Sequence, residues 1–126
     1  DQSFVLRSTD DGFTWEEPVL IDRTVRDTNE CMIAEPRPGT LISFSRTLRG
    51  RHMWTATSRD AGRTWSDLVE SGEPGDAPCL ITHSSGLIVM ASRDTVGQRV
   101  TVSADGGRSW SRSVRVPPAK RGAWGK

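Results

Sequence analysis

One eight-residue pattern occurs three times in this 126-residue chain, as Ser8-Thr9-Asp10-Asp11-Gly12-Phe13-Thr14-Trp15, as Ser58-Arg59-Asp60-Ala61-Gly62-Arg63-Thr64-Trp65 and as Ser103-Ala104-Asp105-Gly106-Gly107-Arg108-Ser109-Trp110. The copies start 50 and 45 residues apart and share Ser-x-Asp-x-Gly-x-Thr/Ser-Trp. Each fixed position suits a tight turn. Glycine takes positive φ without a Cβ clash, and an Asp two residues earlier can fold its carboxylate onto backbone N–H groups. The hydroxyls satisfy further backbone groups, and the Trp is expected to clamp the turn against its own sheet. None of these positions is chemically reactive. A repeat of roughly 40 to 50 residues points to propeller blades or a similar array.

Between the copies the sequence alternates short apolar or β-branched runs with Gly, Pro, Asn and Asp, which predicts an all-β chain with no helical periodicity. The expected strands after the first motif are Asn29 to Glu35, Thr40 to Arg46 and Met53 to Ser58. After the second motif, Ser66 to Glu70 is expected to leave the turn and Gly72 to Asp76 to act as a link. Ala77 to Thr82, Leu87 to Arg93, Arg99 to Ser103 and Arg112 to Val116 follow. A second repeat supports this parsing: Gly39 to Arg46 and Gly86 to Arg93 both run from Gly to Arg in seven steps, 47 residues apart. Leu87 to Ala91 is apolar on both faces, as in a blade sandwiched between neighbours. Four-stranded antiparallel blades then divide the chain into 1–28, the end of one blade; 29–71 and 72–117, two complete blades; and a tail, 118–126. About two and a half blades are fewer than the 4 to 8 that close a ring. The remaining blades are expected in cis or by self-association.

Composition excludes several functions. A net charge of +1, from 17 basic and 16 acidic residues spread along the chain, leaves no electrostatic footprint for nucleic acid. No apolar run approaches the ~20 residues of a membrane span, and no basic segment precedes an apolar one at the start, so no signal peptide is read. Cys31 and Cys79 could pair or stay reduced; apolar-strand cysteines more often serve as small buried residues. His52 and His83 have no second ligand at metal spacing, and glycine-rich phosphate loops are absent. No metal and no cofactor is therefore expected.

Up-and-down topology locates the chemistry. The A–B and C–D turns of a four-stranded meander lie at one end and the other loops at the opposite end. The repeated motif therefore marks one face, and strand-A starts and strand-B ends mark the other. Folding the hairpin about Pro38-Gly39 sets Glu30 opposite Arg46. Folding about Ser85-Gly86 sets Arg93 opposite Ala77 or Pro78, with Asp76 close by. The sister blade thus keeps the Arg and lacks the Glu. A strand-end ion pair of little energetic consequence would look the same.

The triple motif is the Asp-box, or BNR repeat, and it resembles that of sialidases and their propeller relatives. The order Asn29-Glu30, apolar strand, Gly39, apolar strand, Arg46 and then Ser58 to Trp65 is similar to the order in which sialidases carry a catalytic Glu, a carboxylate-binding Arg and the following Asp-box. The resemblance implies a six-bladed propeller acting on terminal sialic acid or a related sugar. It assigns Glu30 as the general base that activates a tyrosine nucleophile, and Arg46 as one of three arginines gripping the substrate carboxylate. Arg93 is the positional candidate for a further arginine, with Arg99 as runner-up. The chain departs from the family in having no tyrosine and no Arg-Ile-Pro strand with an acid Asp, so the 126 residues alone are expected to be inactive. The alternative is a non-catalytic Asp-box propeller that serves as a glycan-binding or protein-interaction scaffold.

Overall fold

The computed structural model describes residues 2–24, 27–48 and 52–117; the expected tail, 118–126, and parts of the links at 25–26 and 49–51 lie outside them. Ten strands run in sequence order, with no helix among the described residues. β1 (Phe4–Val5) and β2 (Val19–Leu20) form a two-stranded sheet. β3 (Thr28–Arg37), β4 (Thr40–Thr47), β5 (His52–Ser58) and β6 (Val69–Pro74) form a four-stranded meander. β7 (Asp76–Thr82), β8 (Ile88–Asp94), β9 (Gly97–Ser103) and β10 (Val114–Arg115) form another. All pairings are antiparallel, so the chain is all-β with the sheet type that the repeat predicted.

Two strand boundaries differ from expectation. The stretch read as a link, Gly72 to Asp76, is largely strand, because β6 pairs with β5 at Thr55↔Val69, Trp54↔Glu70 and, past an irregularity, His52↔Pro74. Ser66, expected to begin that strand, instead seals the turn: its N–H donates to the Thr57 carbonyl at 2.9 Å and its hydroxyl accepts from Thr57 N–H at 3.0 Å. Strand β10 is only Val114–Arg115.

Two apolar clusters fill the seams between sheets. Ile21, Ala56, Trp65 and Leu68, with Val5, Val19 and Leu41 against them, close the first sheet onto the second. Ala34, Ile42, Phe44 and Met53 meet Leu80, Ile88 and Met90 across the second seam. The second sheet therefore has neighbours on both sides, and Ile42, Ser43, Phe44 and Ser45 of β4 are consecutively buried. In β8, Ile88, Met90 and Ser92 are buried while Ala91 and Arg93 are exposed. That strand is covered on one face, not two as its apolar run suggested. An ion pair also crosses the second seam: Arg99 Nη2 of β9 lies 2.5 Å from Glu73 Oε2 of β6, and Arg99 Nη1 donates to the Pro74 carbonyl at 3.2 Å.

The three repeated turns share one hydrogen-bond plan. Each serine hydroxyl donates to the Asp Oδ1 at 2.8 Å and accepts the glycine N–H at 2.8 Å (Gly12), 2.9 Å (Gly62) and 2.8 Å (Gly107). Each Asp accepts the hydroxyl of Thr14, Thr64 or Ser109 at 2.6 Å and the same residue's N–H at 2.9 Å. These donors, the Thr14 and Thr64 hydroxyls first, hold Asp10 and Asp60 at a pKa of about 2; the Ser109 hydroxyl leads in holding Asp105 well below the usual carboxylate range. The residue before each glycine also has positive φ, 57° at Asp11 and Ala61 and 78° at Gly106. Two successive left-handed residues are what a tight hairpin turn demands.

The Trp packs against the preceding sheet as well as its own. Trp110 of the third turn meets Phe44 of the second sheet edge-to-face, with ring centroids 5.3 Å apart and an interplanar angle of 88°. Trp65 sits in the cluster of the first seam and is 6% exposed. Trp15, whose turn has no preceding sheet in this chain, is 60% exposed. The motif thus joins its own sheet to the one before it.

Cys31 and Cys79 are both free thiols. Burial pushes the Cys31 thiol up, whereas Cys79 is exposed on β7 and not the small buried residue expected.

Candidate functional site

The two ends of the sheets are distinct. Ala61 N–H of the second turn donates to the Gly39 carbonyl at 2.9 Å, so the repeated turn and the β3–β4 hairpin share one end. Glu30, Arg46, Asp76 and Arg93 occupy strand ends at the other.

A bulge at the start of β3 decides how they meet. Arg46 pairs in register with Asn29, not Glu30, and the register shifts between Asn29 and Met32. Glu30 occupies that bulge with φ 47°, a left-handed conformation that a non-glycine residue adopts at a cost of about 1–2 kcal/mol. Its carboxylate still reaches Arg46, with Nη1 donating to Oε1 at 3.1 Å. The third sheet repeats the device 47 residues on: Asp76 pairs with Arg93, the register shifts between Asp76 and Cys79, and Ala77 has φ 48°. Asp76 therefore matches Asn29, and Ala77 matches Glu30. Arg93 faces Asp76 directly, not Ala77 or Pro78 as the fold-over about Gly86 suggested.

Asp76 ties the sheets together at this end. Its Oδ1 lies 3.6 Å from Arg46 Nε and its Oδ2 lies 3.8 Å from Arg93 Nε. Gly75 makes that position possible, since a Cβ there, at φ +124°, would stand 2.4 Å from the Arg93 carbonyl oxygen. The result is a chain of alternating charge, Glu30, Arg46, Asp76 and Arg93, with Arg46 shielded and Arg93 exposed. A partly exposed carboxylate on a left-handed residue, beside one guanidinium and linked through Asp76 to a second, is an arrangement that can grip an anion or a sugar hydroxyl.

All three residues singled out from sequence, Glu30, Arg46 and Arg93, thus come together. Arg99 does not: it is 5% exposed and committed to Glu73 across the seam. Sequence reasoning placed Asp76 nearby without seeing that it bridges two arginines. The 47-residue offset, applied position by position, is the signal that pairs it with Asn29. Among the described residues no group of three or more His, Cys, Asp or Glu side chains could hold a metal ion, and no helix is long and apolar enough to cross a membrane.

Comparison with known proteins agrees with the fold. No family model matches the sequence. A sialidase of Bacteroides fragilis (strain YCH46) is 24% identical over 136 residues, covering 96% of this chain and 24% of that protein. The chain thus spans about a quarter of that relative. The NanB sialidase of Streptococcus pneumoniae superposes with a TM-score of 0.71 at 22% identity, over 90% of this chain and 20% of the other. A protein of unknown function from Dyadobacter fermentans DSM 18053 gives 0.73 at 20% identity, over 89% and 33%. The Hadza microbial sialidase Hz136 gives 0.61 at 19% identity, over 87% and 31%. The chain therefore has a sialidase-like fold.

Proposed function

We propose that these residues are about two and a half blades of a six-bladed Asp-box propeller whose whole protein is a glycoside hydrolase of the exo-α-sialidase type. The substrate is a glycan ending in sialic acid or a related sugar. Glu30 acts as the general base toward a tyrosine nucleophile contributed from outside this tyrosine-free chain. A phenol suits an anionic substrate, since a neutral nucleophile meets no like-charge repulsion until the Glu takes its proton. Arg46 and Arg93 bind the substrate carboxylate through their guanidinium forks.

The observation that carries this reading is the convergence of Glu30, Arg46 and Arg93 at the end of the sheets away from the Asp-boxes, with Glu30 held at φ 47°. The likeness to a B. fragilis sialidase over nearly the whole chain supports it. The test is turnover of a fluorogenic sialoside by the full-length protein that contains this sequence. Glu30→Gln is expected to lower kcat by ~10²–10⁴-fold, the usual contribution of a general base, and Arg46→Lys to raise KM. An inactive full-length protein, or an unaffected Glu30→Gln variant, would refute the assignment.

The absence of tyrosine favours one other reading, a non-catalytic propeller that binds glycans or proteins. It predicts saturable binding without turnover, and flanking sequence lacking both an upstream Arg-Ile-Pro strand and a downstream tyrosine.

A further inference from the structure

The two seams are built by the same motif but are not filled alike. At the first seam, Arg7, which directly precedes Ser8 of the first motif, crosses to the second turn and donates through Nε to the Ala61 carbonyl at 2.6 Å. Its Nη1 is paired with Glu16. The Arg7 side chain lies against Gly62, 3.4 Å from where a Cβ would stand. The residue at the corresponding place in the second motif is Thr57, which is too short to cross, and Ser66 stands where the first copy has Glu16. The second seam consequently stays open as a cleft of about 180 Å³ between the second sheet and the turn Asp105 to Arg108.

Three arginines line it: Arg37 from the end of β3, Arg59 from the second motif and Arg108 from the third. All three are exposed, and among the described residues none makes a side-chain hydrogen bond or ion pair. Asp105 is the acidic residue of the lining, and its two oxygens are already occupied by Ser103, Ser109 and the Arg108 N–H. Thr55, also in the lining, keeps a buried hydroxyl with no hydrogen-bond partner. Asp105 stays ionised, so the lining of three guanidiniums and one carboxylate keeps an excess of positive charge, and with the unsatisfied Thr55 hydroxyl it forms a donor set suited to an oxyanion.

We infer that this second seam is a binding cleft for an anionic saccharide, holding a sulfated or carboxylated sugar residue between Arg37, Arg59 and Arg108. It is separate from the Glu30 site, lies at the Asp-box end and is built entirely from the two complete sheets, so it does not depend on the hydrolase reading. The volume suits one charged sugar residue, below the ~300 Å³ at which pockets for larger ligands begin. No aromatic side chain lines the cleft, so it offers none of the stacking on which single-stranded nucleic acid binding relies.

The experiment uses the full-length protein and calorimetric titration with a heparin-derived hexasaccharide, a neutral chitin hexasaccharide and a 20-nucleotide single strand. The charged glycan is expected to bind, with affinity falling as salt rises, and the neutral one is not. Arg59→Gln with Arg108→Gln should weaken binding about tenfold, a loss of two partly exposed charge contacts. Thr57→Arg with Ser66→Glu, which places in the second seam both the side chain and the counter-charge that fill the first, should abolish binding while Glu30→Gln leaves it unchanged. Arg37→Gln, at an exposed strand end, provides a charge deletion that leaves the seam packing intact, and thermal melting verifies folding of every variant. Equal binding of neutral and charged hexasaccharides, indifference to the Thr57→Arg, Ser66→Glu pair in a folded variant, or tighter binding of the nucleic acid would each overturn the inference.

Discussion

Gly107→Ala isolates what the repeated turn does between sheets. Gly107 has φ +88°, and a Cβ built on it would stand 2.2 Å from Ile42 Cδ1. Ile42 is 3% exposed and lies beside Gly107 in the wall of the second-seam cleft, so its δ-methyl must be displaced. Two costs follow: about 1–2 kcal/mol for a left-handed alanine and about 1–3 kcal/mol for crowding the buried Ile42 side chain. Gly12 supplies the control. Its φ is +89°, and the nearest atom to an added Cβ is 3.7 Å away on its own Trp15. Gly12→Ala therefore carries the backbone cost alone, and the difference between the two variants, about 1–3 kcal/mol, is the packing of turn against preceding sheet. The assay is equilibrium urea unfolding with a common slope, so that midpoints convert to free energies. Ile42→Val removes the atom at 2.2 Å and leaves Ile42 Cγ1, at 3.6 Å, as the nearest contact on that side chain. In that background Gly107→Ala should fall back to the Gly12→Ala level, a coupling measurable in a double-mutant cycle. Equal costs for Gly107→Ala and Gly12→Ala, or no coupling to Ile42→Val, would refute the claim that the motif joins neighbouring sheets.

Three further outcomes are expected. Because Asp10 and Asp60 sit at a pKa of about 2 in the folded protein, below the ordinary 3.9 of an unfolded chain, their stabilisation is complete above about pH 4 and is lost as pH falls toward 2. Thermal midpoints should drop over that window, less steeply in Asp60→Asn, and an unchanged slope would contradict the role of the Thr64 and Ser58 hydroxyls. Glu73→Gln should destabilise by about 3 kcal/mol in urea unfolding, since it leaves the shielded Arg99 charge without its partner across the seam; a loss below about 1 kcal/mol would reduce the pair to a surface contact. In the full-length protein, Asp76→Asn releases Arg46 and Arg93 from their shared counter-anion. Under the proposed hydrolase function, KM for a sialoside should fall ~5-fold, from about 1 kcal/mol for a charge near 4 Å in a water-like medium, while KM for the sialoside methyl ester stays constant. A rise in KM for both would make Asp76 a scaffold for the arginines.

Much of the architecture was legible because the physics behind it is local. A turn that needs left-handed residues, an Asp folded back on its own N–H groups and a following Thr or Ser leaves a pattern readable without neighbours. Glu30 and Arg46 were legible for a related reason: hairpin geometry brings them together from their distances to Gly39. The bulge was not, since whether Glu30 or Asn29 stands opposite Arg46 depends on how β3 packs, and Glu30 gives no sign of adopting φ 47°. Arg99 shows the same limit. Six residues past the end of the Gly-to-Arg repeat it stood as runner-up to Arg93, but its partner, Glu73, lies on another sheet.

The sequence by itself determined the all-β class, the meander order and the end at which charged strand termini gather, all consequences of contacts within one repeat. Tertiary structure alone decided which neighbour each repeat touches. It carried Trp110 across to Phe44 of the preceding sheet, set Asp76 between two arginines of different sheets, and filled one seam with Arg7 while the other stayed open. Those outcomes turn on side-chain length and charge meeting across a gap between sheets, and residues so distant in sequence leave no periodic trace of having met.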